Sequence, residues 1–174
     1  MTDRLDNLTR IPFELAGSVY RSPMPFGDYD GRGTLIDRIE RARIDVVVPL
    51  ASPEECIAKG GRDLHSLYKE KGIEVLPFAV ADYGAPDAGQ VETYAALVDT
   101  VLARAKAGHH VLVHCSAGIG RTGTFLAAMA IRELGLEAED ARDWVRNHIR
   151  GAVETGEQKD FLDQFAERYR SGRS

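Results

Sequence analysis

Apolar positions along the chain fall into two kinds of run. Three runs are short and rich in β-branched residues: DVVVPL from Asp45 to Leu50, IEVLPFAV from Ile73 to Val80, and HVLVH from His110 to His114. Runs of this length and composition predict strands. The other runs are helical. Val91, Tyr94, Ala95, Val98, Val101, Leu102 and Ala105 make a stripe at helical spacing, and Gly108 stops it. Asp87 and Gln90 place a capping box at its start. Thr124 to Leu134 is apolar on nearly every side, which predicts a central buried helix. Two amphipathic helices follow, one on Ala141, Trp144, Val145, His148 and Ile149, the other on Phe161, Leu162, Phe165, Ala166 and Tyr169. Strands alternating with helices predict an α/β fold with a central, mainly parallel sheet flanked by helices; the last third is helical only.

No repeat, low-complexity segment or long Pro/Gly/Ser linker divides the 174 residues. A single domain over residues 1–174, with its core at about 15–170, is expected. The net charge of −5 argues against a general nucleic-acid binder. The stretch MTDRLDNLTR has no apolar core of a secretory signal, and the longest apolar run, Phe125 to Ile131, is too short for a bilayer. With only Cys56 and Cys115, reduced thiols fit better than a disulfide scaffold. A cytoplasmic protein without membrane attachment is expected. Its oligomeric state is left open, and a monomer is compatible with the sequence.

The chemistry concentrates in one loop. Gly118-Ile119-Gly120-Arg121-Thr122-Gly123 satisfies the dinucleotide-binding spacing between a strand and a helix. That reading also wants an acidic residue about 20 positions on, at the end of a following strand. Asp143 has the spacing but lies in a helical segment, and no strand follows. A Walker loop fails because no Lys-Ser/Thr pair closes the turn. A third reading uses every residue. Successive amides of the turn form an anion-binding nest, and the next helix adds its N-terminal dipole. Arg121, six residues after Cys115, can fold over that nest and clamp two phosphate oxygens with its planar fork. The same field favours a nucleophilic thiolate at Cys115. A buried cysteine acting as a small hydrophobe is the bland alternative, and the flanking H-C-x5-R-T-G weighs against it.

HCSAGIGRTG, from His114 to Gly123, resembles the signature loop of the cysteine-dependent protein-tyrosine phosphatase superfamily. Two more segments share the resemblance. VADYGAPD, from Val80 to Asp87, is similar to the movable acid loop, and VRNHIRGAVETGEQKDFL, from Val145 to Leu162, to the terminal segment. The context LYKEKGIEVLPFAVADYGAPD looks most like the dual-specificity branch, particularly its kinase-associated phosphatase-like members. The similarity covers roughly Val19 to Phe165.

The resemblance implies a phosphatase domain with no cofactor and a phosphocysteine intermediate. Cys115 would be the nucleophile. The loop residues Ser116, Ala117, Gly118, Ile119, Gly120 and Arg121 would bind the phosphoryl oxygens, and Asp82 would be the general acid. Thr122 would donate to the departing sulfur, His114 would orient the loop, and Gln158 matches the water-positioning glutamine region. Where tyrosine phosphatases usually carry Gln, this chain has Glu154, so the water-positioning side chain is open. Asp87 is the rival acid, explained better as a helix cap. His109 and His110 read as the exposed start of a strand without metal-site spacing, Cys56 as buried filler, Trp144 as core, and Arg21 as structural or surface rather than substrate-binding.

Phosphoproteins are the expected substrates, phosphotyrosine first and phosphoserine or phosphothreonine second. The alternatives are a phosphoinositide or small phosphomonoester phosphatase and a non-catalytic phosphate-binding module. The uncharged SAGIG between Cys115 and Arg121 weighs against highly charged substrates, and the retained Cys, Arg and acid weigh against the silent module.

Overall fold

Val46, Val47 and Val48 are buried on both faces of their strand, and so are Val111, Leu112 and Val113. Such two-sided burial is what continuous β-branched runs encode. The structure, a computed structural model, describes residues 7–170. The first six and last four residues of the expected domain, including most of the stretch read for a secretory signal, lie outside the described residues.

By internal packing the chain divides into two compact units, one of residues 1–79 with 104–118, the other of residues 80–103 with 119–174. The first holds a five-stranded sheet in the order β1-β2-β5-β3-β4. Its strands are β1 Thr9–Ile11, β2 Val19–Ser22, β3 Val46–Pro49, β4 Glu74–Val75 and β5 Val111–His114. β1 pairs antiparallel with β2, and every other pairing is parallel. The protein is of the α/β class with a mainly parallel sheet. Among the described residues three helices belong to this unit: α1 Leu35–Arg41, α2 Pro53–Gly60 and α3 Leu64–Glu70. A core of Leu35, Ile39, Val47, Cys56, Leu64, Tyr68 and Leu112 joins them to the sheet. Cys56 is fully buried there, as filler.

The run Ile73 to Val80 yields a shorter strand than its composition predicts. Pairing by Leu76 N with Val47 O and Phe78 N with Pro49 O continues past β4, but Pro77 between them has no N–H to give. Proline is tolerated because β4 is an edge. The two N-terminal strands and α1 to α3 had no strong periodic signal, being four residues or fewer and eight or fewer respectively.

The second unit holds most of α4 Val91–Lys106, then α5 Gly120–Leu134, α6 Ala138–Arg146 and α7 Gly156–Tyr169. Asp87 and Gln90 do form a capping box, on a short 3₁₀ turn that leads into α4. Every residue of α5 from Gly120 to Ile131 is buried, as its apolar composition predicts. The helix starts four residues earlier than the apolar run. Tyr94 of α4 meets the rings of Phe125, Phe161 and Phe165 edge-on, with centroids 5.3, 5.0 and 6.2 Å away. Such contacts add to the area they bury. Trp144 departs from the core reading: it is half-buried and packs edge-on against His148, beyond the end of α6.

Candidate active site

β5 ends at His114 and hands the chain to Cys115, which is buried. His114 Nδ1 lies 3.1 Å from the Cys115 carbonyl oxygen, and Nε2 lies 2.8 Å from the Tyr68 hydroxyl. A carbonyl only accepts, so Nδ1 carries a proton, which leaves Nε2 to accept from the Tyr68 hydroxyl. Burial, aided by neighbouring Cys56, pushes the Tyr68 phenol well above its ordinary range and keeps it a donor.

Beyond Cys115 the loop turns back on itself. Met24 N donates to Ser116 O at 2.9 Å, and Gly118 N donates to Cys115 Sγ at 3.3 Å. Gly118 has φ +77°, a left-handed conformation that glycine adopts without strain. A Cβ there would also overlap Arg21 Nη2 and Ser22 O. Arg21, only 7% exposed, donates from Nε and Nη2 to Gly118 O at 3.1 and 2.9 Å, and from Nη2 to Ala117 O at 3.0 Å. Burial pulls its guanidinium below its ordinary range, and the Cys115 charge acts in the opposite sense.

The loop continues through Ile119 into α5, whose first turn carries Arg121 and Thr122. Arg121 Nη1 donates to Val80 O at 2.8 Å, and Nη2 lies 3.2 Å from Asp82 Oδ1. Thr122 is fully buried, and its hydroxyl has no hydrogen-bond partner among the described residues. Glycines at 120 and 123 permit close approach: a Cβ on Gly120 would overlap the Glu154 carboxylate, and one on Gly123 would press against Ala152.

Asp82 sits on a segment held from the start of α7 by three bonds. Thr155 Oγ1 donates to Tyr83 O at 3.1 Å, Gln158 Nε2 donates to Gly84 O at 3.1 Å, and Ala85 N donates to Glu157 Oε2 at 3.0 Å. Gln158 is buried, and its Oε1 also accepts from the Glu154 and Thr155 amides, closing the α7 capping box. Glu154 is exposed. Asp87 accepts from Gly89 N at 3.0 Å, the capping role its position suggests.

Of the residues singled out from sequence, Cys115, His114 and Ser116 to Gly118 are built together in the first unit. Arg121, Thr122, Asp82 and Gln158 are built in the second, with Ile119 and Gly120 joining the two stretches through the chain. Sequence reasoning missed Tyr68, Thr155 and Glu157 and undervalued Arg21. The tyrosine and glutamate carried no spacing signal, while YRS after a strand pattern was the available hint for Arg21. Among the described residues no group of three or more His, Cys, Asp or Glu side chains gathers to hold a metal. No helix there is long and apolar enough to cross a membrane.

The profile of the family described as "Polymorphic toxin system, DSP-PTPase phosphatase" matches residues 36–135. The chain belongs to this family. It thereby falls in the cysteine-dependent protein-tyrosine and dual-specificity phosphatase superfamily. It is 36% identical over 103 residues to "Protein tyrosine phosphatase type IVA 3" of Homo sapiens, a match to 59% of this chain and 57% of that protein. The chain thus matches little more than half the length of this relative. The solved structure "Tk-PTP in the active form" superposes with a TM-score of 0.76 at 31% identity, covering 94% of this chain and 98% of that one. Kinase-associated phosphatase, with its catalytic cysteine replaced by serine, shares the fold at a TM-score of 0.80 and 18% identity, covering 92% and 94%.

Proposed function

We propose that this DSP-PTPase phosphatase hydrolyses phosphoproteins, phosphotyrosine first and phosphoserine or phosphothreonine second, through a phosphocysteine intermediate. The observation that carries this reading is the loop itself: a buried Cys115 whose Sγ receives the Gly118 amide, with carbonyls turned outward onto Arg21. Amides aimed inward make a cradle for phosphoryl oxygens.

Cys115 Sγ attacks phosphorus in line, forming the S–P bond as the P–O bond to the leaving group breaks. The amides of Ser116 to Arg121 and the Arg121 guanidinium hold the equatorial oxygens, where negative charge concentrates. Asp82 gives its proton to the departing oxygen and then takes one from the attacking water. The water's oxygen bonds to phosphorus as the S–P bond breaks, and the Thr122 hydroxyl donates to the departing thiolate. Gln158 spends one amide hydrogen on Gly84 O and keeps a second for the water.

The uncharged stretch Ser116 to Gly120 suits a single phosphoryl group better than a multiply phosphorylated headgroup. A nucleophilic thiol and two free cysteines suit a reducing compartment such as the cytoplasm. The test is rapid acid quenching during turnover of an aryl phosphate, followed by peptide mass spectrometry. Phosphate on the Cys115 peptide is the expected result; turnover with no such adduct, or an adduct elsewhere, overturns the mechanism.

A further inference from the structure

A trans peptide points its C=O and its N–H in opposite directions, so whatever binds the oxygen aims the amide. The peptide between Ala117 and Gly118 shows both ends of this geometry. Its oxygen is held by Arg21 Nη2 at 3.0 Å, and its N–H meets Cys115 Sγ at 3.3 Å. The next peptide has its oxygen held twice by Arg21, at 3.1 and 2.9 Å, which turns the Ile119 N–H away from Arg21. Glycine tolerates either sign of φ, so at Gly118 the backbone has little preference of its own between this arrangement and a flipped peptide. The Ala117 carbonyl would then need another buried donor, which makes the fork the element that selects the state.

We infer that Arg21 is a positioning residue for the catalytic loop, setting the direction of the Gly118 amide that faces the nucleophile and holding the carbonyl that follows it. The inference rests on the phosphatase reading of that loop. Two features support it beyond hydrogen bonding. Arg21 is a buried cation whose charge interacts with Cys115, and it lies on β2, whose Ser22 pairs in register with His114 of β5. A rigid sheet thereby fixes the fork relative to the start of the loop. Lysine cannot reproduce it, since an ammonium presents no planar pair of donors in fixed register.

The experiment uses Arg21→Lys and Arg21→Met in the full chain, with turnover of an aryl phosphate, inhibition by orthovanadate and thermal unfolding measured on each. Misdirected loop amides should cost about 10²–10³ in kcat/KM for Arg21→Met, in the range of a lost oxyanion donor. For Arg21→Lys the expected loss is about tenfold or more. The vanadate inhibition constant should rise in step. A merely structural role would lower the folded fraction, and so the turnover per mole, but leave that inhibition constant where it was. A folded Arg21→Lys within twofold of the parent in both kcat/KM and vanadate inhibition overturns the inference, as does an unchanged vanadate constant in either variant. Should the parent itself bind vanadate at Cys115 but turn over no aryl phosphate, the phosphatase reading fails instead, and the vanadate series alone decides on Arg21.

Discussion

Asp82 and Arg121 are paired at 3.2 Å, the arginine side chain 1% exposed and the aspartate 41%. The buried partner is fixed by Val80 O, and the exposed one rides on the segment tied to α7. On the proposed mechanism, a carboxyl at the rim beside the phosphate-clamping cation is where a leaving group collects a proton. Asp82→Asn should slow a poor aryl leaving group by about 10²–10⁴. The penalty should shrink as the leaving group becomes more acidic. Asp87→Asn should cost little, because Asn caps as well as Asp. The measurement is kcat/KM for both variants across a series of phenols; a steep dependence in Asp87→Asn but not in Asp82→Asn reverses the assignment.

Cys115→Ser should abolish turnover while the fold remains, because a hydroxyl ionises far less readily than a thiol beside the same amide. Arg121→Lys should lose most activity for want of the planar fork. Steady-state assays on both, with circular dichroism to confirm folding, check this. More than a few percent residual activity in the serine variant counts against Cys115 as nucleophile, and an unchanged kcat/KM in the lysine variant counts against Arg121 as the phosphate clamp.

Glu157 reaches the acid segment through the Ala85 amide, 72 residues away in sequence. Glu157→Ala frees that amide and loosens the segment carrying Asp82. Loss of one charge-assisted bond at an exposed site is worth about 1 kcal/mol, so a drop of about fivefold in kcat is expected with poor leaving groups. With a strongly acidic phenol the drop should vanish. An equal drop for both kinds of substrate would show that Glu157 acts on something other than the acid.

Tyr68→Phe removes the donor to His114 Nε2 and leaves a buried acceptor without its partner. The expected cost is about 1–3 kcal/mol of stability, read by urea or thermal unfolding. His114 should also lose its tautomer preference, visible as a changed ring-nitrogen pattern in ¹⁵N NMR. Unaltered stability and an unaltered pattern would mean the contact is incidental.

The candidate site was legible in the sequence because the loop is contiguous. The proposed nucleophile, anion nest and clamp lie within the seven residues from Cys115 to Arg121, and a strand before and a helix after suffice to shape them. The same holds for the Asp87 capping box, which spans one turn, and for α5, whose burial its own composition dictates. β4 shows where such local reading stops, since only the sheet order reveals that it is an edge, where Pro77 is tolerated between the two residues that bond to β3.

What surrounds the loop was decided by the tertiary structure alone. Arg21 is 97 residues from the Gly118 carbonyl it holds, and Tyr68 is 46 residues from His114. Gln158 matched a known segment, yet its tie to Gly84 spans 74 residues and left no trace in spacing. These side chains are polar residues in ordinary helical or strand positions, so their own neighbourhoods do not mark them. Each acquires its role because burial strips water from a carbonyl or a ring nitrogen, which must then find a partner wherever the fold brings one. The sequence by itself determined the contiguous loop that carries the proposed nucleophile and clamp; folding decided which distant donors hold that loop in place.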